Sequence, residues 1–78
     1  MSRRDWLFKQ EGIVVRLYTW LVLHWDGGEW SRGRVCRGAG MSVKSMYRAR
    51  GILLRGGLLV KDGLNWAVVN IFGDGKVD

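Results

Sequence analysis

Apolar positions recur at helical spacing in the first third of the chain. Ile13, Leu17, Trp20, Leu21 and His24 fall at i, i+4, i+7, i+8 and i+11. Val14, Tyr18 and Trp25 widen that face. The pattern predicts a helix over Ile13–Trp25, covered on most sides and forming the spine of the core. Asp26-Gly27-Gly28 stops it. Ahead of it, Ser2 followed by Asp5 reads as an N-cap with an acidic first turn. A short helix is expected through Trp6, Leu7 and Phe8 to about Gln10; Gly12 either breaks it or sits inside a longer one. Beyond Trp30, Ser31 can cap a helix from Arg32 to about Gly38, with Val35, Cys36 and Ala39 inward and Arg34 and Arg37 outward. Gly40 can supply the positive φ that ends it. Ser42 then caps a further helix from Val43 to about Leu54. Its inward set is Met46, Ala49 and Leu53, leaving Lys44, Tyr47, Arg48, Gly51 and Arg55 on the other side.

The period changes after Gly56-Gly57. Leu58, Leu59 and Val60 suit a strand. Asp62-Gly63 reads as a two-residue hairpin turn. Leu64 to Phe72 suits the return strand, being rich in β-branched and aromatic residues. The fold class expected is therefore mainly α with a small β-hairpin. Residues 1–72 make one domain and residues 73–78 a frayed tail.

Composition sets limits on this picture. A chain of 78 residues buries only roughly 60% of its unfolded surface, so its core is small. Nearly half the residues are apolar and five are Trp, which favours folding over disorder. The single cysteine, Cys36, allows no intrachain disulfide, and with one histidine, His24, it makes a poor basis for a zinc site. The longest apolar run, Ile13–Trp25, falls short of the roughly 20 residues needed to span a bilayer. No membrane association and a cytoplasmic location are expected.

Charge changes the picture most. The net charge is +6, and no acid occurs from Trp30 to Lys61, where eight cations fall. A solvated helix face usually mixes signs, because opposite charges at i,i+4 stabilise it. Segregation of one sign is the footprint of a nucleic-acid surface.

Within that window the segment VCRGAGMSVKSMYRARGILLRGGLLV resembles the winged helix-turn-helix family of DNA-binding proteins. Val35-Cys36 stands where the family opens its second helix, and Gly40-Met41-Ser42 stands at its turn. Ser45-Met46, Tyr47-Arg48-Ala49, Leu53 and Gly57-Leu58 follow the rest of the pattern, and Trp30-Ser31 is similar to its start in phage and plasmid regulatory or replication proteins. The match covers Trp30 to about Val69. Two positions depart from it: Arg50 replaces an apolar residue, and Gly51 replaces a good helix former. A shifted or bent helix is expected there, with Ile52 supplying burial.

The resemblance implies double-stranded DNA binding, with the helix at about 43–54 in the major groove. Lys44, Ser45, Tyr47 and Arg48 would meet base edges or phosphates, Arg48 by a bidentate pair to guanine. Ser42 can reach phosphate or base. Arg32, Arg34 and Arg37 would lie along the DNA backbone, and Lys61 near the hairpin tip would touch an adjacent groove or phosphate. One module contacts little DNA, so a homodimer on a pseudo-palindrome is expected. The reading requires Lys44 and Arg48 to point outward, free of neighbouring carboxylates.

The residues also admit other readings. The same fold and basic face can serve as a protein-interaction module, for example a phage-borne inhibitor binding an acidic protein partner. Single-stranded or structured RNA would need aromatics on the basic face, where only Tyr47 qualifies from the sequence. No Ser/His/Asp or Cys/His arrangement and no phosphate loop is present, so neither an enzyme nor a cofactor is expected.

Overall fold

The computed structural model describes residues 2–72. It holds helices α1 (Arg3–Phe8), α2 (Gly12–His24), α3 (Arg32–Ala39) and α4 (Val43–Arg55), then strands β1 (Leu59–Asp62) and β2 (Asn65–Val68). The molecule is mainly helical with a two-stranded antiparallel hairpin. The tail expected over residues 73–78 lies outside the described residues.

Local chemistry accounts for the helix ends. The Ser2 Oγ accepts from the Asp5 amide at 3.1 Å, so α1 begins as its sequence predicts. Gly12 is the first residue of α2, which separates the two helices. Gly40 takes φ +69°, and the amides of Gly40 and Met41 both donate to the Cys36 carbonyl, at 2.9 and 3.1 Å. That left-handed residue reverses the chain out of α3 without a Cβ clash. The turn Gly40-Met41-Ser42 follows, and the Ser42 Oγ accepts from the Ser45 amide at 3.2 Å to start α4. Ser31 occupies the corresponding place before α3, but its side chain makes no cap bond; its carbonyl accepts from Val35 instead.

The core sits between α2 and α4. Val14, Leu17, Tyr18 and Leu21 of α2 meet Met46, Ala49 and Leu53 of α4, with Val35 and Ala39 from α3 and Leu7 from α1. The buried face of α2 is thus centred on Val14, Tyr18 and Leu21 rather than on His24, which is exposed and stacks on Trp20 at 5.4 Å. Two glycines let indole rings approach backbone. A Cβ on Gly38 would stand 2.3 Å from the Trp20 indole, and one on Gly56 would stand 2.2 Å from that of Trp6. Trp20 thereby closes on α3, and Trp6 holds α1 against the end of α4.

The hairpin pairs Leu59 with Val68, Val60 with Ala67, Lys61 with Trp66 and Asp62 with Asn65. The two turn residues are therefore Gly63 and Leu64, one residue later than the Asp62-Gly63 turn expected from sequence, and Gly63 takes φ +64°. Moving a two-residue turn by one position shifts each cross-strand partner by two residues, so Leu59 and Trp66 share a face in either register, and the shift sets Lys61 rather than Leu59 opposite Trp66. The return strand ends at Val68 rather than Phe72. There the Val69 amide donates to the Leu58 carbonyl at 3.0 Å, and the Tyr18 hydroxyl takes over. It donates to the Val69 carbonyl at 2.6 Å and accepts from the Ile71 amide at 2.9 Å. Glu29 adds an isolated antiparallel bridge to Asn65, and the Trp66 amide donates to the Gly28 carbonyl at 2.8 Å. The hairpin is in this way pinned to the α2–α3 connection. No helix among the described residues is long and apolar enough to cross a membrane.

Candidate nucleic-acid interface

Helix α4 runs unbroken through Gly51, with no interruption at the two positions where its sequence departs from the family pattern. Packing of Met46, Ala49 and Leu53 onto α2 leaves a stripe on the opposite side. Lys44, Tyr47, Arg48, Gly51 and Arg55 lie along it at i, i+3, i+4, i+7 and i+11. Lys44 and Arg55 are exposed, Tyr47 is 43% exposed and Val43 40%. Gly51 leaves the middle of the stripe without a side chain. The helix contains no acid of its own.

One carboxylate nevertheless reaches the stripe. Glu11 occupies the N-cap position of α2, yet its side chain makes no cap bond. It turns instead to Arg48, whose Nε donates to both carboxylate oxygens at 3.1 and 3.0 Å, and whose Nη2 donates to Oε2. That hydrogen bonding holds the Glu11 carboxyl below its ordinary range and raises the Arg48 guanidinium. The requirement of a free outward cation is thus met by Lys44 and not by Arg48. Glu11 thus occupies the Nε–Nη2 edge of Arg48, and an acceptor bound at that edge displaces it.

Arg34 is also engaged. Its Nη2 donates to the His24 carbonyl at 3.0 Å and its Nη1 lies 3.5 Å from an Asp26 carboxylate oxygen. Its guanidinium carbon stands 5.7 Å from the Trp20 ring centre and 5.5 Å from that of Trp25. It clasps the last turn of α2, where a cation also meets the negative end of the helix dipole. Arg34 is a structural tie here rather than a free backbone contact. Arg32 and Arg37 are exposed, and neither has a carboxylate within ion-pair distance among the described residues. Ser42 uses its hydroxyl on the α4 cap, and Ser45 is half-buried.

Lys61 stands two residues before the Gly63-Leu64 turn and pairs with Trp66, its Nζ 5.6 Å from that ring's centre. The hairpin register turns it toward the aromatic face rather than outward from the tip. On that face lies an aromatic cluster, in which Trp66 is buried and Trp25 and Trp30 are half-buried. Trp25, Trp30 and Trp66 follow one another with ring centres 5.2 Å apart at each step. The Trp25 indole donates to the Trp66 carbonyl at 2.9 Å. Arg50 enters the cluster from α4, with its guanidinium carbon 4.5 Å from the centre of Trp66, 4.7 Å from Tyr47 and 5.2 Å from Trp30. Ring faces carry negative charge density and accept the guanidinium where a fully apolar wall would not. A cation thereby enters a slot walled by aromatic rings, and Ile52 packs half-buried beside the core. The available signal was a lone charge in an otherwise apolar slot. Nothing in its spacing identified which rings would receive it.

No family model, curated protein or solved structure matches this chain.

Proposed function

We propose that this protein is a double-stranded DNA-binding module of winged helix-turn-helix type, with α4 as the helix that enters the major groove. The observation that carries this reading is the stripe of Lys44, Tyr47, Gly51 and Arg55 on a helix that follows a tight turn and has no acid of its own. The antiparallel hairpin that follows α4 is compatible with the wing of that family. Lys44, Ser45 and Tyr47 are the groups available to base edges, and Arg48 joins them by exchanging Glu11 for a guanine edge or a phosphate. Arg32 and Arg37 serve the DNA backbone. A homodimer on a two-fold site would supply the contact area one such module lacks.

Selection of bound duplexes from a random pool, followed by titration against salt, tests this. An enriched motif is expected, with affinity falling steeply as salt rises. Lys44→Ala is expected to relax one position of that motif, whereas Arg37→Ala weakens all sequences alike. No enrichment, and equal losses from both variants, overturn the assignment.

A second reading has its own support. Arg48 and Arg34 are already neutralised within the fold, and the hairpin exposes Val60 at 46% and Leu64 at 70%. The first reduces the free positive charge offered to a polyanion, and the second favours a protein partner with a partly apolar surface. Weak duplex binding at low salt together with a tight protein complex would establish that reading instead.

A further inference from the structure

Between α4 and the hairpin lies a pocket of about 310 Å³ bounded by Glu29, Trp30, Arg50, Lys61, Leu64 and Trp66. It holds two cations against one carboxylate. Among the described residues neither Arg50 nor Lys61 has a carboxylate within ion-pair distance, Glu29 included. The Trp30 indole Nε1 is buried and has no hydrogen-bond partner. Buried polar groups in folded proteins almost always have one. The guanidinium of Arg50 is fixed among three rings, so little conformational freedom remains to be lost when its N–H groups meet an acceptor. An arginine held on ring faces and left without an anion is prepared for one, because guanidinium matches a two-oxygen acceptor.

We propose that this pocket is a phosphate site, and that its ligand is a backbone phosphate of the duplex read by α4. The assignment of the source rests on the DNA-binding reading above; the site itself does not. Tyr47 connects the two. Its ring contacts Arg50 on one side and it belongs to the exposed stripe of α4 on the other. A duplex seated on that stripe carries its phosphates past the mouth of the pocket. Arg50 supplies the bidentate contact and Lys61 a second positive charge. Glu29, the one carboxylate lining the pocket, opposes an anion there, and the two cations outweigh it. A contact of this kind fixes register and carries no sequence preference.

The 78-residue chain, labelled with ¹⁵N, is titrated with inorganic phosphate at low ionic strength while the tryptophan indole N–H signals are followed, with chloride as control. Saturable shifts at Trp30 and Trp66 that exceed those at Trp6 and Trp20 are expected. Arg50→Gln abolishes them, and Lys61→Gln, on an exposed position, weakens them in a protein whose fold is not in question. On duplex DNA, Arg50→Gln lowers affinity equally for all sequences and reduces the magnitude of the log-log salt slope by about 0.9, the value for one phosphate contact. Saturable phosphate shifts without duplex binding support the site and overturn the duplex as its source. Duplex binding with an unchanged salt slope in both variants, and no saturable shift with phosphate, overturns the site and leaves the DNA-binding reading intact.

Discussion

Replacing Tyr18 by Phe removes one oxygen atom and keeps the ring that fills the centre of the core. The side chain is fully buried, so the substitution introduces no bulk and opens almost no cavity. What it removes is the tie between α2 and the chain beyond β2. The Val69 carbonyl loses a 2.6 Å donor and the Ile71 amide loses a 2.9 Å acceptor. Both residues are half-buried, so water replaces these bonds only in part. At about 1 kcal/mol net for each hydrogen bond, the two together contribute about 2 kcal/mol. In a chain of this size that lowers the thermal midpoint by about 8–16 °C and the urea midpoint by about 1 M. Urea denaturation of both proteins measures the difference, and hydrogen exchange at the Ile71 amide localises it. Exchange there is expected to accelerate well beyond that of the α2 amides. Alkaline titration gives a further check. Burial raises the Tyr18 phenol above its ordinary 10.0, while the Ile71 amide and Arg3 act the other way. The unfolded chain therefore ionises first. Stability from this group is full below about pH 10 and is lost as pH climbs through the raised folded value. The Phe variant lacks that component. A stability difference under about 0.5 kcal/mol with unchanged exchange at Ile71 would refute the role given to the hydroxyl.

Gly38→Ala places a methyl group 2.3 Å from the Trp20 indole and is expected to cost about 1–3 kcal/mol by thermal or urea denaturation. Helix propensity alone predicts a gain of up to about 1 kcal/mol, so a stabilised variant would sink the packing argument. Ser42→Ala removes the acceptor for the Ser45 amide and is expected to cost about 1 kcal/mol, with faster amide exchange in the first turn of α4 alone. Glu11→Gln weakens the Arg48 pair. Its lowered carboxyl makes the wild-type contribution present above the ordinary 4.5 and lost as pH falls through the depressed value, so the wild-type and Gln proteins should converge in thermal midpoint under acid. The same variant frees Arg48 and is expected to bind duplex more tightly; weaker binding argues against competition between Glu11 and DNA.

The elements were largely legible because each has a local cause. The apolar spacing of Met46, Ala49 and Leu53, the cap at Ser42 and the positive φ at Gly40 depend on neighbours within one or two turns. They specify α4 and the turn before it without reference to the rest of the chain. The hairpin was legible as a hairpin but not in register. Asp62-Gly63 and Gly63-Leu64 are both turns that place a flexible Gly at the bend. Both place Leu59 and Trp66 on one buried face, so burial does not distinguish them; the contacts that accompany the observed register are long-range, the bridge that fastens Asn65 to Glu29 and the Trp66 amide bond to the Gly28 carbonyl.

Which cations are free is the question that sequence order could not answer. The stretch from Trp30 to Lys61 contains no acid, and that fact stands in the sequence alone. Ion pairs, however, depend on distance in space. Glu11 comes to Arg48 from 37 residues away because α2 packs along α4, and Asp26 comes to Arg34 across the turn that ends α2. Arg50 finds Trp30 and Trp66 only when the hairpin folds back beside α4. Local propensity fixed the helices and the basic composition of the middle segment. Tertiary packing chose which side chains of that segment stay open to a partner, because only packing brings charges and rings that are far apart in sequence within a few ångströms of one another.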